Sequence, residues 1–217
     1  MHKLTTEALD KAVDEAFVDI DTDDPDYAFT QQLKQNNKVF AAFKTHRQQN
    51  DIARQLLDDK GNLKSFEQFR KDTADIIGDY NINWLRTEYD TAVIRARMAA
   101  MFKDFERHAD LYPNLEWTRS TSVVKREVHV KLYGLILPIT HKFWMRQFPG
   151  NEWNCKCGIR STDDEPNGHL FKIDDLPDPP AGIEENPAAT GELFSKKHPY
   201  RVNKYPGANK AVKNFLK

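Results

Sequence analysis

The chain has 217 residues, 30% of them charged, with a formal net charge of -1 and a mean hydropathy of -0.74. A chain so close to neutral has no overall field that would attract nucleic acid or an anionic membrane. No stretch is long and apolar enough for a signal sequence or a membrane span, so we expect a soluble protein without membrane contact. The length is sufficient for a buried core, and the high polarity favours exposed helices or arms around it.

Charge is distributed unevenly along the chain. Residues 14–26 are acidic, and Asp19, Asp21 and Asp23 have the spacing that opens a calcium loop, but the glycine and the glutamate that complete such a loop are missing. We therefore expect a solvated linker there. The C-terminal segment is basic and could contact DNA phosphates without reading sequence, although a solvated tail explains the same composition. The candidate DNA-contact residues are Lys196, Lys197, Arg201, Lys204, Lys210 and Lys213.

Hydrophobic periodicity predicts that the first half of the chain is helical. Residues 5–17 form an amphipathic pattern that Thr5 or Thr6 could cap, and residues 39–57 are also helical in pattern. A third helix is predicted to begin after Ser65, its cap. Four apolar residues are expected on the inner side of that helix: Phe66, Phe69, Ile76 and Ile77.

The longest periodic run extends from Trp84 to about His108 without a glycine or proline. Its apolar residues recur at spacings of three and four, which predicts a long scaffold helix. Met and aromatic residues at this spacing usually belong to a core, so this stripe is given no chemical role. Arg86 and Glu88 are interpreted either as exposed charges or as members of a buried polar network that links this helix to the segment of the cysteines.

After residue 112 the pattern changes to short segments and turns. The predictions are strands at 115–119 and 122–124, a helix or strand at 127–133, and extended chain at 135–138 and 157–160. Beyond residue 163, frequent Pro, Asp and Gly predict an extended, poorly self-packed arm. The predicted fold is therefore α+β, with a helix-rich scaffold, a small α+β Cys/Trp knuckle at about 111–162, and the C-terminal arm.

Both cysteines lie in the aromatic stretch 143–157, after the turn pattern at 149–151. In an extended segment Cys155 and Cys157 project to the same face, so both sulfurs could bind one metal ion, zinc above all. A disulfide between cysteines this close would be strained.

Two cysteines supply half of a tetrahedral zinc site. His129 is the first candidate for the third ligand, and His141, His169, an aspartate or water would be the fourth. The alternative is a pair of buried, inert thiols beside Trp153, and for His129 a histidine whose hydrogen bonds are only structural.

Several of these residues also occur together in a recognisable arrangement. The arrangement comprises Trp84-Leu85-Arg86-Thr87-Glu88, Trp117-Thr118, His129 ahead of Leu132-Tyr133-Gly134, Phe143-Trp144, and the closing stretch from Asn151 through Glu152, Trp153, Asn154, Cys155 and Lys156 to Cys157. Over about residues 84–160 it resembles the phage Mu F-like head morphogenesis family, and the closing stretch is its most specific part.

The resemblance implies a minor head protein of a tailed double-stranded DNA phage or prophage, made in the host cytoplasm and then located in the virion head. Its partners would be the portal protein and/or coat and scaffold proteins, with non-specific contact to double-stranded DNA as a further possibility. The head morphogenesis domain would be residues 39–162, after an N-terminal helix and acidic linker at 1–38 and before the arm at 163–217. The implied structural motif residues are Arg86, Glu88, Trp117, Phe143, Trp144, Asn151, Trp153 and Asn154.

A binding role is implied, not an enzymatic one. The chain has no phosphate-binding glycine loop, nucleophile elbow or HExxH motif, so the enzymes that carry these signatures are not supported. The alternative function is a metal-dependent hydrolase, or a toxin-like nuclease or transferase, centred on His129, Cys155 and Cys157.

Overall fold

Helix α4, Trp84–Arg107, is the central element of the fold in this computed structural model, which describes residues 1–217. Its bounds agree with the predicted scaffold helix. The other helices are α1 (His2–Ala16), α2 (Tyr27–Ala53), α3 (Phe66–Gly78), α5 (Glu127–Val130), α6 (Phe143–Arg146), α7 (Pro187–Thr190), α8 (Pro199–Val202) and α9 (Ala208–Phe215). Three strands, β1 (Asn114–Thr118), β2 (Ile136–Pro138) and β3 (Gly158–Thr162), complete the predicted α+β fold. No helix combines the length and apolarity that crossing a bilayer requires.

Helix α1 packs against α2 and α4 through the side that its periodicity predicted. Leu9 and Val13 on this side have no exposed surface. The helix begins at His2, so Thr5 and Thr6 lie inside it and the prediction that one of them caps it is wrong. The hydroxyl of Thr6 instead donates a hydrogen bond to the carbonyl of His2 at 3.0 Å.

Helix α2 begins at Tyr27, well before the predicted start at residue 39. The boundary predicted between residues 38 and 39 therefore falls inside a continuous helix, and the acidic linker is limited to residues 17–26. The early turns were not recognised because α2 buries polar side chains among the apolar ones, which obscures the helical period. These buried polar residues are Thr30, Asn36, Asn37, Lys44, Thr45 and Gln48.

Helix α3 begins after Ser65 as predicted, and the Ser65 hydroxyl accepts a backbone amide in the first turn. Its predicted inner side is wrong in part. Phe66 is 76% exposed and Ile77 is 44% exposed, whereas Phe69 and Ile76 are half-buried. The period of the helix was right, but a helix packed on one neighbour covers only part of its apolar face.

The three strands form one antiparallel sheet in the order β2-β1-β3. Leu115 in β1 pairs with Leu137 in β2 and with Ser161 in β3. Trp117, two residues further along β1, stacks on Trp144 of α6 with 6.4 Å between ring centroids. The sheet and its two tryptophans therefore form the core of the predicted knuckle.

Next to the sheet, the structure corrects one predicted segment and decides the conformation of another. Residues 122–124 are not a strand but part of a loop, because their β-branched residues have no neighbouring strand to pair with. Residues 127–130 are helical, which decides between the two structures that were open for this segment.

The C-terminal segment 163–217 is mostly irregular, as predicted, but it is well packed. Ile183, Leu193 and Phe194 have no exposed surface, and the ring of Phe194 stacks on Phe40 of α2 with 4.0 Å between centroids. The expectation of a poorly packed, solvated arm is therefore wrong for this part of the chain. Its apolar residues have neither helical nor strand spacing, so periodicity could not reveal that they complete the core.

Candidate metal centre

His129, Cys155 and Cys157 come together in the structure, as predicted. His129 lies on α5, both cysteines lie in the loop before β3, and all three are buried. The Nδ1 atom of His129 is 3.7 Å from the Sγ atom of Cys155 and 3.5 Å from that of Cys157. Ligands around a tetrahedral zinc ion with ordinary bond lengths are separated by about 3.5 to 3.8 Å. The two nitrogen–sulfur distances therefore suit a single ion, and all three ligand atoms lie within 4.8 Å of one another.

The turn that begins at residue 149 positions the cysteines. Gly150 has φ of +98°, and a Cβ atom there would lie 3.1 Å from the Cγ atom of Arg95. Only glycine combines that conformation with such a close approach to the central helix. Asn154, at φ of +57°, then reverses the chain so that Cys155 enters the interior.

The surroundings shift the pKa values of the two thiols in opposite directions. The hydrogen bond from Cys157 lowers the pKa of Cys155, and His129 acts in the same direction. The same hydrogen bond, together with burial, raises the pKa of Cys157, while donors on Trp117 and Ser120 oppose that rise. Metal binding requires both sulfurs as thiolates, so it would release protons from this pair.

The residues around the cluster fit a zinc ion bound by thiolates. The indole N–H of Trp117 is buried without a hydrogen-bond partner of good geometry, and it lies beside Cys157. A thiolate at Cys157 would accept this donor, as the sulfur ligands of metal sites commonly do. Imidazole and thiolate ligands are also the set that zinc prefers over Ca²⁺ or Mg²⁺.

A fourth protein ligand is not part of this cluster, whose members are only His129, Cys155 and Cys157. Of the predicted candidates, His141 accepts the backbone amide of Phe143, and His169 is exposed on the C-terminal segment. The fourth position would therefore be filled by water or by a group that moves on binding.

Glu88 belongs to a buried polar network, as one of the two interpretations of the sequence held. Its carboxylate forms an ion pair with Lys44 of α2 and accepts a hydrogen bond from the hydroxyl of Tyr200 at 2.7 Å. Burial raises the pKa of Glu88 and lowers that of Lys44. The network joins α4 to α2 and α8, not to the knuckle. Arg86 stays outside it, with its side chain 83% exposed and its Nε atom 3.7 Å from Asp90.

Arg95 connects the central helix to the knuckle, and the sequence analysis did not identify it. Its guanidinium is fully buried and donates to the side chain of Asn151 and to backbone carbonyls of Ile183, Glu185 and Leu193. One sequence feature could have indicated this role. Arg95 lies on the same helical side as Ala92, Ala96 and Ala99, and small neighbours leave room for a long side chain to lie inward.

The remaining predicted motif residues have structural positions. The side-chain amide of Asn151 donates to the carbonyl of Arg146 at 2.8 Å, and the backbone amide of Asn154 donates to the hydroxyl of Thr91 at 3.2 Å. Phe143 packs edge-on against Trp144, while Trp153 is half-buried and stacks on Phe194 of the C-terminal segment. Through these contacts α4 and the C-terminal segment both hold the loop that carries the cysteines.

The cations predicted to contact DNA differ in their surroundings. Lys197 lies 3.5 Å from Glu184, and the guanidinium of Arg201 lies over the ring of Phe43 at 5.6 Å. The other four are exposed and form no ion pair: Lys196, Lys204, Lys210 and Lys213.

The fold and the site together define an α+β protein whose small three-stranded unit carries a buried His/Cys/Cys cluster. Comparison with known proteins adds one relative: the chain is 28% identical over 106 residues to the "Putative capsid assembly protein F" of Escherichia phage Mu. The match spans 49% of this chain and only 22% of the length of that protein. No family model and no solved structure matches the chain.

Proposed function

We propose that this chain is a minor head protein of a tailed double-stranded DNA phage or prophage. It acts by protein binding near the portal during head morphogenesis, in the host cytoplasm, and then remains in the virion head. The observation that carries the proposal is the similarity to the phage Mu capsid assembly protein. Among the residues that carry the resemblance to the Mu F-like family, Asn151 bonds to Arg95 of α4 and Trp153 stacks on Phe194 of the C-terminal segment, which is consistent with a binding scaffold.

An exposed apolar surface supports a role in binding. The turn between α2 and α3, residues 56–66, is here called the apolar tip. Its large apolar side chains are strongly exposed: Leu56 by 42%, Leu57 by 51%, Leu63 by 76% and Phe66 by 76%. Exposed groups of this kind on an otherwise polar protein mark contacts with other proteins.

The apolar tip is held in one conformation. The carboxylate of Asp58 accepts the backbone amides of Lys60 at 2.9 Å and of Asn62 at 2.8 Å, and the amide of Lys64 donates to the carbonyl of Leu56 at 2.9 Å. A turn that is already ordered loses little conformational entropy when it binds, so the apolar tip is suited to bind a partner. Portal or coat subunits are the partners we propose.

Co-purification tests this function. The chain is produced together with the portal and coat proteins of the same phage or prophage, and complexes are isolated through a tag on the portal protein. We expect the wild type to co-purify and the Leu63→Glu/Phe66→Glu variant to be lost from the complex. Leu170→Glu, at a residue 72% exposed outside the tip, is the matched control and should still bind. A wild-type chain that binds neither subunit contradicts the proposal.

A zinc ion in the His129, Cys155 and Cys157 cluster would have a structural role in this function. The three side chains are 2% to 7% exposed, so a substrate has little access to them. A hydrolase, nuclease or transferase centred on the same residues is the alternative, and it requires an open ligand position that a substrate can reach. Turnover that disappears in Cys155→Ser while the protein stays folded would favour the alternative.

Non-specific contact with packaged DNA is a second candidate function. It is favoured by Lys204, Lys210 and Lys213, which are exposed on and before α9 and form no ion pairs. Each phosphate contact contributes about 0.9 to the slope of log affinity against log salt concentration. Lys210→Gln/Lys213→Gln should therefore flatten the slope measured with duplex DNA, whereas Lys71→Gln/Lys142→Gln should not. Equal slopes in all three proteins would remove this candidate.

A further inference from the structure

The loop between β1 and α5 carries exposed apolar residues together with positively charged ones. We call residues 119–126 the basic loop. Val123 is 100% exposed and Val124 is 83% exposed. The cations around them are Arg119, Lys125 and Arg126 of the loop and Lys156 beside it.

Hydrogen bonds fix the basic loop to the knuckle. The amide of Thr121 donates to the carbonyl of Lys156 at 3.1 Å, and the guanidinium of Arg126 donates to the carbonyl of Trp153 at 2.6 Å. Two strongly exposed valines on a tethered loop are unfavourable in water unless a partner covers them.

The basic loop borders a cleft of about 930 Å³ between the knuckle, α4 and the end of α1. Arg97 and Lys156 line this cleft and form no ion pair, and neither do the cations of the loop. The two acidic residues of the cleft have other partners within their own helices: Glu15 lies 3.8 Å from Lys11, and Asp90 lies 3.7 Å from Arg86. Glu152 lies near Arg126, but these cations are not held in ion pairs. A ligand for this surface should therefore be acidic and partly apolar.

The same chain carries a segment with that chemistry. We call residues 18–24, after α1, the acidic turn. Val18 is 67% exposed at its start, and the four aspartates that follow form no ion pair: Asp19, Asp21, Asp23 and Asp24. The carboxylates just outside the turn are paired, Asp14 with Lys34 at 2.6 Å and Asp26 with Arg107 at 2.9 Å.

The acidic turn is also held by its own hydrogen bonds. The carboxylate of Asp21 accepts the amide of Asp23 at 2.9 Å, and that of Asp24 accepts the amide of Asp26 at 2.7 Å. It is therefore a fixed shape with an apolar residue at one end and negative charge around it, the counterpart of the basic loop.

We propose that the basic loop of one copy of this chain binds the acidic turn of a second copy. No ion pair joins the two segments within one chain, so each is left for another molecule. The overall net charge of -1 gives two copies almost no mutual repulsion, and complementary patches of this kind fix register and orientation. Because the contact joins two different surfaces, it links copies head to tail, which gives closed rings where the rotation closes and open filaments where it does not; a pair forms if both contacts are made at once.

Sedimentation equilibrium of the full-length chain tests this contact. We expect association that increases with protein concentration at low salt and is lost at high salt, because exposed charges are then screened. Lys125→Glu/Lys156→Glu, which reverses the basic side, should be monomeric. Asp19→Asn/Asp23→Lys should also be monomeric, and asparagine tolerates the positive φ of 56° at residue 19.

Mixing the two variants gives the decisive result. The variant with the reversed basic loop keeps its acidic turn, and the variant with the altered acidic turn keeps its basic loop. The mixture should therefore associate although neither variant does alone. Lys71→Glu/Lys142→Glu, a reversal at two exposed lysines elsewhere, is the matched control and should associate like the wild type. A monomeric wild type at low salt, or association that persists in both variants, overturns the proposal.

Discussion

The Nη1 atom of Arg95 donates a hydrogen bond to the side-chain oxygen of Asn151 at 2.5 Å. Through this bond the central helix holds the turn that precedes both cysteines. The same guanidinium donates to carbonyls of the C-terminal segment at 2.8 to 2.9 Å, so one side chain connects the scaffold, the knuckle and the arm. The arm is irregular, and these bonds replace the backbone pairing that a strand or helix would have given it.

Replacing Arg95 should destabilise the whole chain. Arg95→Leu leaves several buried carbonyls without donors, at about 1 to 3 kcal/mol each, and we expect a loss of at least about 3 kcal/mol in the free energy of unfolding. Arg95→Lys should recover only part of this, because one ammonium cannot reach carbonyls on two sides. Urea denaturation followed by tryptophan fluorescence measures both. Arg86→Leu, on the exposed side of the same helix, should change stability by no more than about 0.5 kcal/mol, and a similar loss in Arg95→Leu and Arg86→Leu would contradict the role assigned here.

The buried pair of Lys44 and Glu88 should behave as a unit. Glu88→Leu leaves the ammonium of Lys44 buried without a partner, and Lys44→Met does the same to the carboxylate, so each should cost about 3 to 5 kcal/mol. The double variant removes both charges and should be much more stable than the sum of the single effects implies. A double-mutant cycle in urea measures this coupling. Strictly additive effects would mean that the two groups do not depend on one another.

The elements of this fold could not all be predicted equally well from the sequence. Periodicity located α1, α4 and β1 because their apolar residues recur at helical or strand spacing, and residue chemistry alone suggested that His129 lies with Cys155 and Cys157. The start of α2 and the packing of the arm could not be predicted in this way. There the core is completed by polar groups that are satisfied only by distant partners, such as the side chain of Asn36, which exchanges two 3.0 Å hydrogen bonds with the backbone of Phe194. Such pairs leave no local pattern in the chain.

His198 should make stability depend on pH. Burial lowers the pKa of its imidazole to about 3, and Lys44 and Arg201 act in the same direction. A histidine in the unfolded chain takes up its proton near pH 6.5, so between about pH 6.5 and 3 the unfolded state binds more protons. Stability is therefore lost as the pH falls through this window, by up to about 1.4 kcal/mol per unit from this residue.

Carboxylates titrate in the same pH range, so the contribution of His198 is measured as the difference between the pH dependence of the wild type and that of a variant without this histidine. In His198→Asn the new side chain can still accept the amide of Tyr200 at the start of α8, but it does not titrate. We expect a flatter dependence of the unfolding free energy on pH between 6.5 and 4 than in the wild type. His169→Asn, at an exposed histidine, should keep the wild-type slope. Identical slopes in His198→Asn and the wild type would show that residue 198 is not buried in its neutral form.

The proposal that the His129, Cys155 and Cys157 cluster binds zinc predicts a stoichiometry and a loss of stability. Protein purified without chelators and without immobilised metal should contain about one zinc per chain, because metal bound only to the folded state adds its binding energy to folding. Cys155→Ser should lose both the zinc and thermal stability, since a serine hydroxyl is a poor ligand for this ion. Elemental analysis and thermal unfolding measure the two effects, and His169→Gln, a histidine outside the cluster, should alter neither. If the wild type contains no metal and Cys155→Ser is as stable as the wild type, the cluster is held by packing against Trp117 alone, and a hydrolase, nuclease or transferase centred on it has lost its chemical basis.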